Sequence, residues 1–278
     1  MTDLLVFTDL DGTLLDHHSY SYEPALPALQ RLAAAAVPVI FNSSKTAAEI
    51  DQLRRELDNR HPFIVENGSA VCSPAGYFIP DALPGAHAGQ ACAVRTFGPG
   101  YPDILGRLHR IREGAGCRFR GFSDMTRDEL ATVTGLDPAA AARAQQRHAS
   151  EPLLWEDTDA ALEQFRRDLR KSELSLVRGG RFFHVMGEVD KADALRWLTN
   201  RYRQTWPNRR WQTVALGDSP NDRAMLEAAD LAVTIPPAEG RPLQLARNTH
   251  VICPADPGPR GWQDAMTRIL NRETDKGA

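Results

Sequence analysis

The sequence predicts an α/β protein: a Rossmann-like, doubly wound parallel sheet with an α+β unit inserted into it. Three observations predict it. Short apolar runs that end abruptly in polar residues alternate with amphipathic helical stretches near both ends of the 278-residue chain. The middle of the chain breaks this rhythm and is richer in glycine, arginine and turn residues. The alternation then resumes, as it does when an insertion interrupts a parallel sheet.

The elements follow in order. Leu4-Leu5-Val6-Phe7 is a continuous apolar run, the mark of a strand buried on both faces, and it stops short of Asp9. A helix begins near Pro24, with Leu26, Leu29 and Leu32 as apolar positions. Val37 to Phe41 reads as a second strand in which Pro38 fits only at the start. Thr46 and Glu49 have capping-box spacing and open a second helix, whose apolar face is Ile50, Leu53 and Leu57. Phe63-Ile64-Val65 is a third short strand, ending in Glu66-Asn67-Gly68.

Helices are expected around Tyr101 to Glu113, after Asp137-Pro138, and around Asp159 to Leu169. Leu174 to Val177 and Phe182 to Val185, separated by a Gly-Gly pair, read as a hairpin. The first rhythm returns with a helix from Lys191 to Tyr202. Strands at Thr213–Leu216 and Leu231–Ile235 flank a helix through Met225, and a last helix spans Gly261 to Arg272. The predicted division is a core of residues 1–83 and 188–278, with an insertion at 84–187.

Hydrophobic residues make up 42% of the chain and charged residues 25%, an ordinary globular balance. The net charge of −3 lacks the basic excess of a nucleic-acid binder. The longest apolar run, Leu32 to Phe41, is too short for a membrane span and contains Pro38. The start of the chain has no basic segment leading into an apolar one, so no signal peptide is expected. The four cysteines lack zinc-ligand spacing, which is the pattern of reduced thiols in a cytoplasmic protein.

The chemistry concentrates at strand ends, where open α/β sheets bind ligands. Asp9-Leu10-Asp11-Gly12-Thr13 follows the first strand. One carboxylate there can attack phosphorus and form an acyl phosphate, and its neighbour can protonate the leaving alcohol. Gly217-Asp218-Ser219-Pro220-Asn221-Asp222 follows a later strand and adds two carboxylates. Such a cluster repels itself and repels a phosphate dianion, and a hard cation such as Mg²⁺ relieves both. Ser43, at the end of the second strand, can donate to a phosphoryl oxygen, although it equally suits a helix cap. Lys191 opens a helix, against the helix dipole; an exposed surface lysine is the plainer reading.

Together, Asp9-x-Asp11-Gly-Thr, Ser43, Lys191 and Gly217-Asp218-Ser-x-Asn221-Asp222 resemble the four ordered motifs of the haloacid dehalogenase superfamily. The spacing is similar to that of members with an α/β cap between the second and third motifs. The resemblance implies that Asp9 is the nucleophile and Asp11 the general acid/base, with Ser43 and Lys191 holding the phosphoryl group. It also implies that Asp9, Asp11 through its carbonyl, and Asp218 bind Mg²⁺, with Asp222 a further ligand or one step behind.

Ser44-Lys45-Thr46, Gly121 to Thr126, Thr134-Gly135-Leu136, Ser150-Glu151-Pro152 and Gly179 to His184 resemble the mannosyl-3-phosphoglycerate phosphatase family more closely. That likeness implies hydrolysis of 2-O-mannosyl-3-phosphoglycerate to mannosylglycerate, a compatible solute. Glucosyl-3-phosphoglycerate and sucrose phosphate are the alternative substrates. A small phosphorylated sugar acid is the expected partner. Ser123, Thr126, Arg147, Arg178, Arg181 and His184 are the residues of the inserted unit available to recognise its carboxylate and hydroxyls. A glycosyltransferase could use the Asp-x-Asp for a metal–nucleotide, but it has no need of the second aspartate motif.

Overall fold

The computed structural model of the chain describes residues 3–78, 92–179 and 181–277. The first half-unit comprises β1 (Asp3–Thr8), α1 (Leu26–Ala34), β2 (Val39–Phe41), α2 (Ala47–Glu56) and β3 (Phe63–Val65). β4 (Ala70–Pro74) and β5 (Cys92–Thr96) follow. Next come α3 (Tyr101–Ala115), β6 (Phe119–Gly121), α4 (Arg127–Thr134), α5 (Pro138–Ala144) and β7 (Ser150–Trp155). α6 (Asp159–Lys171), β8 (Leu174–Arg178) and β9 (Phe183–Gly187) complete this stretch. The chain ends with α7 (Lys191–Thr205), β10 (Trp211–Gly217), α8 (Arg223–Ala228), β11 (Leu231–Thr234), β12 (Val251–Ile252) and α9 (Gly258–Gly277).

The main sheet has the order β12-β11-β10-β1-β2 and is parallel throughout. β1 lies between β10 and β2, so the strand leading to Asp9 pairs on both sides. Its side chains divide between two cores. Leu4 and Val6 pack with Leu32, Trp262 and Met266, from α1 and α9. Leu5 and Phe7 pack with Leu195, Leu198 and Met225, from α7 and α8. Alternate residues thus face opposite helical layers, which explains why the run is apolar without a break.

β3 and α9 differ from the sequence reading. β3 does not extend the parallel ladder. It touches the main sheet through one parallel bridge, Asn42 to Ile64, and then pairs antiparallel with β4, which pairs with β5. α9 starts at Gly258 and runs past Arg272 to Gly277. Pro38 sits just before β2, and its carbonyl accepts the Val6 N–H, so its missing donor costs the ladder nothing.

The second large sheet is antiparallel, in the order β6-β7-β9-β8. Ile104 and Leu108 of α3, and Phe165 and Leu169 of α6, cover one face against Leu153, Leu174 and Val185. α4 and α5 pack on each other through Leu130, Ala141 and Ala144, together with Phe122 and Met125. β8 and β9 form the expected hairpin, with Arg178 opposite Phe183. Where the chain passes between the sheets, Gly98 and Gly187 meet. A Cβ on Gly187 would stand 3.0 Å from Pro99 Cδ and 3.4 Å from Gly98 Cα. Among the described residues, no helix is long and apolar enough to cross a membrane.

Candidate active site

The C-terminal ends of β1, β2 and β10 and the start of α7 bring Asp9, Ser43, Asp218, Asp222 and Lys191 to one end of the sheet. The Asp9 N–H donates to Leu216 O at 2.9 Å, continuing the β1–β10 ladder into the motif. Behind it, Trp262 Nε1 donates to Thr8 Oγ1 at 3.0 Å, and Thr8 Oγ1 donates to the Asp9 carbonyl at 2.7 Å. Gly12 turns the chain with φ +81°, and a Cβ there would stand 2.7 Å from Asp218 Oδ2. Only glycine suits both the conformation and the space. Thr13 Oγ1 donates to Asp218 Oδ1 at 3.0 Å, joining the two aspartate motifs.

Lys191 is the electrostatic centre of the site. Its side chain is 1% exposed, and its ammonium lies 2.6 Å from Asp9 Oδ1 and 2.7 Å from Asp222 Oδ1. Asp190 caps α7 by accepting from the Ala192 and Asp193 N–H groups, which offsets a cation at a helix start. Asn42 Nδ2 donates to the Lys191 carbonyl at 3.1 Å. The other oxygen of Asp222 is also taken: Oδ2 accepts from the N–H groups of Asp218 and Ser219 and from Ser219 Oγ, each at 3.1 Å.

One ammonium cannot compensate three carboxylates. Burial pushes Asp9 well above the usual carboxylate range, Asp222 adds to the shift, and Lys191 opposes it. Asp218 is pushed up to about 6, by burial first and then by Asp222. Lys191 is shifted upward: burial works against its charge, but Asp222 and Asp9 more than offset it. Asp9, Asp218 and Asp222 each offer an oxygen, and these oxygens lie within 4.8 Å of one another. This all-oxygen, charge-excess donor set suits Mg²⁺. Asp9 and Asp218 are the side chains fitted to ligate it, because both Asp222 oxygens already accept hydrogen bonds.

Ser43 is 1% exposed in the turn after β2 and accepts the Lys45 N–H at 3.3 Å. Asp11 Oδ2 pairs with Lys45 Nζ at 2.9 Å, and Asp11 Oδ1 is buried without a hydrogen-bond partner. Lys45 is shifted upward: burial opposes its charge, and Asp11 and then Glu49 outweigh that.

Most of the six candidates of the inserted region are held by other groups of the chain, while Arg147 acts electrostatically on His184. Thr126 caps α4 and is bound to Glu129. Ser123 donates through N–H and Oγ to Glu151 Oε1, at 2.8 and 2.7 Å. Arg181 donates to the Val133 and Thr134 carbonyls and lies over the Phe182 ring, while Arg178 lies over Phe183. His184 sits within β9, its Nδ1 buried without a partner. Burial, with the charge of Arg147, pushes its pKa down to about 3, so the ring is neutral.

Arg147 is enclosed by other groups. Its guanidinium reaches Ser150 Oγ, the Ser44 and Ala144 carbonyls, and Glu66 Oε2 at 3.5 Å. Glu66 is fully buried and accepts from His148 N, Ala149 N and Ser150 Oγ at 2.7, 3.1 and 2.7 Å. Glu66 and Asn67 both have positive φ, 53° and 56°. The sequence reading noted Glu66-Asn67-Gly68 but gave Glu66 no role. Its one local signal is an acid straight after an apolar strand.

A profile described as haloacid dehalogenase-like hydrolase matches residues 6–81 and 146–252. The chain belongs to the haloacid dehalogenase-like hydrolases. Two curated relatives of this hydrolase carry the name glucosyl-3-phosphoglycerate/mannosyl-3-phosphoglycerate phosphatase. That of Methanococcoides burtonii is 36% identical over 271 residues, covering 98% of each chain. That of Persephonella marina is 32% identical and covers 99% of each. Solved structures share the fold. A Thermoplasma acidophilum protein aligns with TM-score 0.66 and 14% identity, over 97% of this hydrolase and 99% of its own chain. A haloacid dehalogenase subclass IIB sugar phosphatase aligns with TM-score 0.62 and 14% identity, over 96% and 99%.

Proposed function

We propose that this hydrolase is a Mg²⁺-dependent phosphatase that converts 2-O-mannosyl-3-phosphoglycerate to mannosylglycerate and phosphate, and that also accepts the glucosyl compound. The observation that carries the reading is the 36% identity along 98% of the chain to a phosphatase named for both substrates. The match includes the region between the two core segments, where substrate selection resides in a capped fold. In this reading residues 1–83 and 188–278 form the catalytic core, and 84–187 form the cap.

The roles are those the resemblance implies, and the geometry supports them. Asp9 attacks phosphorus through its carboxylate, forming an O–P bond as the ester P–O bond breaks. The ester oxygen leaves with the electron pair and takes a proton from Asp11. A water then loses a proton to Asp11 and attacks the same phosphorus, releasing phosphate and restoring Asp9. Lys191 holds Asp9 Oδ1 and supplies positive charge beside the transferring group, with Ser43 as a hydroxyl donor. Asp222 orients Lys191 and the Asp218 turn. Asp9, Asp218 and the Asp11 carbonyl would hold Mg²⁺, which would supply charge neutralisation for the phosphoryl oxygens.

Phosphate release tests the proposal, measured on mannosyl-3-phosphoglycerate, glucosyl-3-phosphoglycerate and sucrose phosphate, with Mg²⁺ and with EDTA. The expected result is EDTA-sensitive turnover of the first two and little of the third. Equal turnover of all three would overturn the substrate assignment, and turnover undiminished by EDTA would overturn the metal.

A further inference from the structure

We infer that Lys45 is the residue that reads the carboxylate of the substrate, exchanging its bond to Asp11 for a bond to that carboxylate when substrate enters. The inference rests on the substrate class proposed above and names the side chain that selects it.

The recognition problem is one of charge. A phosphoglycerate ester carries a carboxylate beside its phosphate, and a partly enclosed site has to meet it with a cation. Two of the three arginines that the sequence singles out for this purpose are committed elsewhere, and the third, Arg178, lies over the Phe183 ring in the β8–β9 hairpin. Arg147 is enclosed by Glu66, Ser150 and two carbonyls, and Arg181 is bound to the Val133 and Thr134 carbonyls. Lys191 is spanned by Asp9 and Asp222.

Lys45 differs from all of these in its partner. Its ammonium is 2.9 Å from Asp11 Oδ2, and Asp11 is the side chain that must turn to the ester oxygen during the reaction. Asp11 Oδ1 is buried without a hydrogen-bond partner, so the present rotamer leaves the carboxylate half satisfied. When Asp11 turns to the ester oxygen, the ammonium loses its close anion in a partly buried place, a costly situation unless another anion arrives.

The reach is right. In a 3-phosphoglycerate the carboxyl carbon is three bonds from the ester oxygen that Asp11 must touch. A cation one hydrogen bond beyond Asp11 is therefore placed for the carboxylate. The backbone at Lys45 is anchored on both sides. Ser44 O accepts from Arg147, and Thr46 Oγ1 donates to the Arg143 carbonyl at 2.9 Å. Tyr20 walls the other side of the ammonium, its ring centroid 5.3 Å from Nζ. Tyr20 holds a left-handed backbone, φ 56°, with its N–H donating to the Asp16 carbonyl.

The test uses binding, in an Asp9→Asn background that cannot turn over, with Mg²⁺ present. Calorimetry compares 3-phosphoglycerate with glycerol 3-phosphate, which keeps the phosphate and the three-carbon chain but lacks the carboxylate. With Lys45 intact, 3-phosphoglycerate is expected to bind at least about tenfold tighter. Adding Lys45→Met should bring the two affinities together by weakening 3-phosphoglycerate alone, and Lys45→Arg should keep part of the preference. A preference that survives Lys45→Met overturns the inference. So does equal weakening of both ligands, which would confine Lys45 to supporting Asp11 or the fold. Absence of any preference with Lys45 intact also overturns it. The substrate proposal fails separately: a retained carboxylate preference without phosphate release from either glycosyl compound would reject the glycosyl group and leave Lys45 in place.

Discussion

Lys191 Nζ stands 2.7 Å from Asp222 Oδ1, and neither side chain has an appreciable exposed surface. The pair is a buried ion pair with a third member, Asp9, on the same ammonium. Removing one partner of such a pair leaves uncompensated buried charge and costs about 3–5 kcal/mol. Lys191→Met is therefore expected to lower the urea-unfolding free energy of the metal-free protein by about that amount. Unfolding curves superimposable on wild type would contradict the arrangement.

The same cluster predicts how Mg²⁺ and pH act together. Asp9 and Asp218 have raised pKa values, so between the ordinary carboxylate range and about 6 the folded protein holds more protons than the unfolded chain. Their contribution is present below the unfolded value and is lost as pH rises through the folded one. A divalent cation replaces those protons. Mg²⁺ should raise the melting temperature more at pH 7.5 than at pH 5, EDTA should reverse it, and Asp218→Asn should shrink it. Thermal scans at the two pH values provide the check.

Glu66 and Arg147 form a second buried pair, joining the turn after β3 to the start of β7. Arg147→Ala should destabilise the fold by about 3–5 kcal/mol. The ratio of kcat/KM between mannosyl and glucosyl substrates should stay within about twofold of wild type. A large change in that ratio would assign Arg147 to the substrate after all.

His184 gives a pH signature of its own. Its folded pKa is depressed to about 3, below the unfolded value of 6.5. The unfolded state binds the proton first as pH falls, so stability is intact above about 6.5 and declines below it. The slope reaches at most about 1.4 kcal/mol per pH unit. His184→Gln should remove this component between pH 6.5 and 4 in urea titrations, and an unchanged slope would show that another group carries it.

Replacing Asp9 with asparagine preserves shape and removes the anion that attacks phosphorus in the proposed mechanism. Asp9→Asn should keep the circular dichroism spectrum and lose phosphate release by at least about a thousandfold. Retained turnover would refute the mechanism.

The parts of this fold that could be read from sequence are those in which burial is written in apolar residues. β1, β10 and β11 contain short continuous apolar runs, and Asp9 and Asp218, which follow the first two, stand out against that background. β7 escaped because it opens with Ser150-Glu151-Pro152, a polar start that looks like a loop. Its polarity is satisfied from a distance: Ser150 by Glu66, and Glu151 by Tyr101 and Ser123. α4 was not anticipated, although Thr126 and Glu129 have the capping-box spacing that opens it; Thr126 was counted instead among the residues available to the substrate. Arg147 looks like any surface arginine until Glu66, which is distant in sequence, is placed against it. Pairings of that kind follow from topology, and no local pattern encodes them.

The position of β1 in the sheet bears on how the protein is made. Its ladder with β10 pairs Asp3 with Trp211, so the strand leading to Asp9 meets a main partner synthesised far downstream. At ~5–20 residues per second, β1 waits on the order of ten to forty seconds on the ribosome for that neighbour. Lys191 and Asp218 emerge in the same late stretch. A nascent chain therefore cannot assemble the cluster of Asp9, Lys191 and Asp218 until β10 has been translated, and a chain stopped before β10 keeps the apolar β1 unpaired on one edge.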